Sequence, residues 1–172
     1  MFTKADIEKY FMAEKQESLV FLIIGVIAVL MAIAFFFFLK TSFYKGAAVP
    51  LLLIGIIQIT IGFSVYNRSD EDRVRNVYSY DMEPARIKNE ELPRMRTVNR
   101  NFVIYRYTEI VLGIVGAGLL FYFKSNPSKN YWYGLGLTLM IQAILMLGAD
   151  YFAEKRALGY TKGLELFLSN PK

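Results

Sequence analysis

Polar residues are nearly absent from four stretches of the chain: Leu19 to Leu39, Ala47 to Tyr66, Phe102 to Phe123 and Trp132 to Phe152. Each holds about 20 residues, which at ~1.5 Å rise per residue matches the roughly 30 Å hydrocarbon core of a bilayer. The pattern therefore predicts an all-α integral membrane protein with four transmembrane helices. The 172 residues leave no second apolar inventory for a soluble unit, so residues 1–172 read as one membrane domain. A polar loop, 67–101, separates the two pairs of spans, and a tail, 153–172, follows the last. The N-terminal segment has mixed charge and the first apolar run lacks a convincing cleavage site, so it reads as a retained first span rather than a signal peptide.

Charge sets the expected topology. Outside the spans, 15 Lys and Arg residues fall in the N-terminal segment, the central loop and the tail, against 4 in the connectors Lys40 to Gly46 and Lys124 to Tyr131. Basic residues accumulate on the cytoplasmic side. Both termini and the central loop are thus expected in the cytoplasm, and the compositional pattern suits a bacterial-type cytoplasmic membrane. The net charge of +5 then reports topology and contact with anionic lipid rather than nucleic-acid binding.

A shift of 84 residues aligns the second hairpin with the first without a gap. It pairs Phe37 with Phe121, Lys40 with Lys124, Lys45 with Lys129, Leu51 with Leu135, Leu53 with Leu137, Ile57 with Ile141 and Gln58 with Gln142. Both hairpins would enter from the same side, giving a tandem, parallel repeat. Small residues, among them Ala28, Ala32, Gly113 and Gly116, offer faces for close helix packing.

Ionisable groups inside spans are costly unless paired or wetted, which makes them functional candidates. Arg106 and Glu109 stand three apart near the start of span 3, and Asp150 and Glu154 close span 4. All four fall near the same membrane boundary and are expected to cluster, either as an ion-pair network in which Arg106 bridges Glu109 and Asp150, or as a polar pocket for a ligand, ion or partner side chain. A proton relay is a third use. Gln58 and Gln142, slightly past mid-span, would hydrogen-bond across the bundle or line a path through it.

In the central loop, Ser69 to Asp72 resembles a capping box that would start a short helix running to about Met82, with breaks at Pro84 and Pro93. Beyond Pro93, Met95, Val98, Phe102 and Tyr105 recur at helical spacing, so span 3 is expected to extend into the cytoplasm as an amphipathic helix. Arg94, Arg96 and Arg100 lie on its other faces, where they would contact lipid phosphates. Thr3 to Glu17 places Ile7, Tyr10 and Phe11 on one side of a helix. After span 4, Glu154 to Leu168 is expected to continue as a helical extension, ended by Asn170-Pro171. These short cytoplasmic helices would build a small platform.

The chain has no Cys and no His. Disulfides, thiolate-bound zinc, iron–sulfur clusters, histidine-ligated haem and His-based acid–base catalysis are excluded. No residue set forms a catalytic motif, and no cofactor is implied. The expected function is a non-enzymatic membrane binding protein that contacts lipid and a protein partner, or a second copy of itself, through its helices and cytoplasmic face. An immunity or accessory factor against a membrane-inserting toxin is one form of that role. The alternative is a small transporter or channel subunit with a polar path between the hairpins.

Overall fold

A computed structural model describes residues 2–169, which are helical almost throughout. Helix α1 (Lys4–Ala34) continues as a wider π-helical turn over Phe35–Leu39; α2 (Ser42–Met82) follows directly. One helical turn, α3 (Pro84–Arg86), and a second π turn (Ile87–Glu91) lead into α4 (Leu92–Phe123), and a 3-10 turn (Pro127–Lys129) leads into α5 (Asn130–Ser169). Four of these helical stretches are long and apolar enough to cross a membrane. Within their most apolar windows only 11 to 39% of residues are buried. Their large aliphatic and aromatic side chains therefore face outward, as lipid rather than water demands.

Helix α1 begins where Thr3 directs both its backbone N–H and its hydroxyl to the Asp6 carboxylate, each at 2.8 Å. This arrangement satisfies donors that the first turn leaves free. Helix α2 spans 41 residues, or ~60 Å, about twice the bilayer core. It consequently carries the chain well past the membrane on the side of the termini.

The sequence-based boundary at Ser69 is corrected. No helix starts there, because neither Gly nor Pro interrupts the chain between Phe63 and Met82, and α2 runs through. The Ser69 hydroxyl instead donates to the Val65 carbonyl at 2.7 Å. The break at Pro84 is present, but Pro93 does not interrupt the chain: it sits at the start of α4, directly after the π turn. Proline has no N–H to give to the preceding turn, and the wider turn leaves no such bond to lose. The stop expected at Asn170-Pro171 lies outside the described residues.

The hairpins close by backbone contact at glycine. A Cβ on Gly25 would lie 2.8 Å from the Gly55 carbonyl oxygen, and one on Gly116 would lie 2.9 Å from that of Gly136. An 84-residue shift does not superimpose these crossings, since it pairs Gly25 with Glu109 and Gly55 with Leu139. Between hairpins, α2 packs along α5. At the connector end the fit is closest, Gly46 lying against the Tyr131 backbone and Gly134 against that of Phe43.

At the opposite, terminal end the core changes character. Ile7, Phe11, Ile87, Met95 and Leu164 are almost completely buried there, together with Tyr10 and Tyr160. The segments before α1 enters the membrane and after α5 leaves it are thus welded into one aromatic-rich cluster.

Candidate functional site

The four long helices follow one another around an arc in the order α1, α2, α5, α4. Neighbours on the arc pack extensively, whereas α1 and α4, at its two ends, hardly meet. The concave side encloses a cleft of about 430 Å³ lined by all four helices. Its walls are mostly apolar, with Phe21, Ile57, Ile61, Leu112 and Met146 among them. The α2–α5 contact closes it at the connector end and the aromatic cluster limits it at the terminal end.

Most polar groups facing the cleft already have partners. Glu14 accepts from the Tyr10 hydroxyl at 3.3 Å and lies 3.6 Å from the Arg68 guanidinium. Glu17 is paired with Arg156. The Ser18 and Thr108 hydroxyls donate to the backbone carbonyls of Lys15 and Ile104 at 2.8 and 3.0 Å.

Glu109 is the exception. Its side chain lines the cleft, the residue is 2% exposed, and neither carboxyl oxygen has a hydrogen-bond donor. Half-buried Asp150 of α5 lines the same cleft. No ion pair among the described residues involves either group. Buried polar atoms are almost always paired, so two carboxyls in one cleft without a cation mark this level of it as chemically incomplete.

The expected cluster thus forms in part. Glu109 and Asp150 come together, but Arg106 does not bridge them. Its guanidinium turns away to Glu154, bonding both carboxylate oxygens at 3.0 and 3.2 Å. Gln58 and Gln142 are buried with unpartnered Oε1 atoms, yet neither lines the cleft. Gln58 is wedged beside Gly25 inside the first hairpin. Of the three loop arginines, Arg94 is turned inward, bonded to Glu91 at 2.7 and 2.8 Å and lying over the Phe11 ring at 5.6 Å. Arg96 bonds Glu165 at 2.9 Å, while Arg100 is exposed and makes no ion pair among the described residues.

Residues of α1 at the terminal rim, Glu14 and Glu17, escaped sequence-based selection because they precede the first apolar run. Their signal is a helical spacing: Tyr10, Glu14, Glu17 and Phe21 repeat every three or four residues and face the cleft together. Near this rim Tyr10 and Tyr160 stack with ring centroids 4.1 Å apart. Burial, together with the carboxylates of Glu14 and Glu91 respectively, holds both phenols above their ordinary pKa.

Among the described residues, no three acidic side chains converge closely enough to hold a metal ion. No protein family, curated protein or solved structure matches the chain.

Proposed function

We propose that this is a non-enzymatic binding protein of a bacterial-type cytoplasmic membrane, with its termini and central loop in the cytoplasm, that engages a partner protein there. The observation carrying the reading is an apolar stripe on the extension of α2 beyond the bilayer. Val74, Tyr78 and Met82 are one helical turn apart and 65, 55 and 68% exposed. Phe11, Met95 and Leu164 at this level are turned into the core, while Met12 on α1 and Leu158 and Leu166 on α5 are also exposed. Asp70 and Asp81 beside the stripe are already paired with Lys15 and Lys4, so the stripe offers an apolar face that suits an apolar partner helix. An immunity factor that captures a toxin is one concrete form of this role. On this reading the two hairpins derive from one duplicated unit, and only the second acquired carboxyls within its span.

A photo-crosslinking residue at position 78 in cells tests the proposal. One discrete protein adduct is expected, lost on Val74→Asp or Met82→Asp and not reproduced from position 89. Adducts to lipid alone would count against it. A transport role is the second reading, supported by the cleft shared by all four helices; it requires flux in proteoliposomes that changes in Glu109→Gln and Asp150→Asn variants.

A further inference from the structure

We infer that the cleft is a binding site for a lipophilic amine, entered from the bilayer through the gap between α1 and α4. This goes beyond partner binding on α2, since Val74, Tyr78 and Met82 take no part in the cleft.

Three independent features specify the ligand. The first is the pair of carboxyls. Glu109 is buried, aimed into the cleft, and lacks a donor at both oxygens, with Asp150 lining the same cleft. A neutral or anionic head group leaves this pair uncompensated, whereas an ammonium supplies opposite charge and N–H donors together. A quaternary ammonium brings the charge but no donor, so it leaves the orphaned oxygens unsatisfied.

The second feature is the wall. Ile57, Ile61, Leu112 and Met146 form an apolar surface continuous with the level of the spans, which suits an alkyl or aromatic tail. The cationic side chains at the rim, Arg68 and Arg156, are engaged by Glu14 and Glu17. They leave Glu109 and Asp150 as the acidic groups without a cationic partner that face the head group.

The third feature is size. A volume of about 430 Å³ falls within the usual range of small-molecule pockets, roughly 300–1,000 Å³. A helix about 10 Å across fills that volume in roughly one turn, too little for a partner's transmembrane segment to occupy the cleft. The site therefore takes a small amphiphile. Because the backbones of α1 and α4 scarcely approach each other, such a molecule reaches it laterally, tail in lipid and head toward Glu109.

The test uses the full chain in nanodiscs of zwitterionic lipid, with dodecylamine, dodecyltrimethylammonium and dodecanol as probes of equal tail length. Saturable one-to-one binding of dodecylamine is expected, with at least tenfold weaker binding of the quaternary analogue and none of the alcohol. Glu109→Gln, nearly the same shape, should weaken dodecylamine binding at least tenfold, while Tyr78→Asp should leave it unchanged. Equal binding of all three probes to the parent protein overturns the inference without recourse to any variant. So does undiminished amine binding by a folded Glu109→Gln protein. If no protein adduct forms at position 78 in the parent protein while amine binding is retained, partner docking is refuted and the cleft site stands.

Discussion

Arg106 lies one helical turn from Glu109 on α4, yet its guanidinium leaves that neighbour and reaches across to Glu154 on α5, at 3.0 and 3.2 Å. The ion pair sits where the arginine is still 44% exposed, and the carboxyl left behind is buried without a donor. Arg106 thus fastens the rim of the second hairpin rather than neutralising the cleft.

A double-mutant cycle separates these roles. Coupling between Arg106→Gln and Glu154→Gln should be about 0.5–1 kcal/mol, the range for a well-aligned but solvent-screened pair. Coupling between Arg106→Gln and Glu109→Gln should be close to zero. Reversible unfolding in mixed micelles measures both, and a larger value for the second pair would contradict the geometry.

Two glycines on α4, two positions apart, should respond in opposite directions to the same substitution. A Cβ on Gly116 would lie 2.7 Å from the Met140 backbone nitrogen, while one on Gly118 meets nothing within 4 Å. Gly116→Ala is expected to cost about 1–3 kcal/mol through forced separation of α4 and α5. Gly118→Ala should gain up to ~1 kcal/mol, because alanine restricts the unfolded chain and favours helix. Equal effects in a detergent unfolding assay would rule out the close crossing at Gly116.

Lys40 has φ 54°, in the left-handed region, as its N–H closes on the Phe35 carbonyl at 3.2 Å. A side chain costs roughly 1 kcal/mol in that conformation. Lys40→Gly should therefore raise stability by about 0.5–1 kcal/mol. Lys124, its counterpart under the 84-residue shift, is right-handed at φ −49°, so Lys124→Gly should bring no gain. A shared response would mean that the two connectors turn alike.

The stacked pair Tyr10 and Tyr160 gives an alkaline signature. Burial raises both phenols above the ordinary value of 10.0 in the folded state. Between the unfolded and folded pKa the unfolded chain has released a proton that the folded chain still holds, so stability falls as pH rises. The loss should begin near pH 10 and continue upward, with full stability below. Tyr160→Phe should flatten the alkaline limb of a melting profile measured from pH 8 to 11. An unchanged limb would show that Tyr160 does not contribute to it.

Four apolar runs of bilayer length, a charged loop between the pairs and the absence of Cys and His were all legible in the sequence, because hydropathy and composition depend on residue identity alone. The amphipathic spacing of Met95 and Phe102, and of Ile7 and Tyr10, marked faces that the terminal cluster buries or partly buries. Helix boundaries were less legible. Ser69 carries the pattern of a cap, but continuous helix through α2 overrode it, since no residue there breaks the backbone ladder.

Tertiary structure alone decided which charges meet. Glu109, Arg106, Asp150 and Glu154 share one membrane level, and level follows from sequence position. Pairing depends instead on how α4 and α5 rotate about their contact at Gly116 and Gly136, a rotation set by backbone approach at residues without side chains. The same is true of the arc of four helices. Each helix could be read from its own residues, but the cleft exists because α2 and α5 pack along one another while the backbones of α1 and α4 stay apart, and no single segment encodes that.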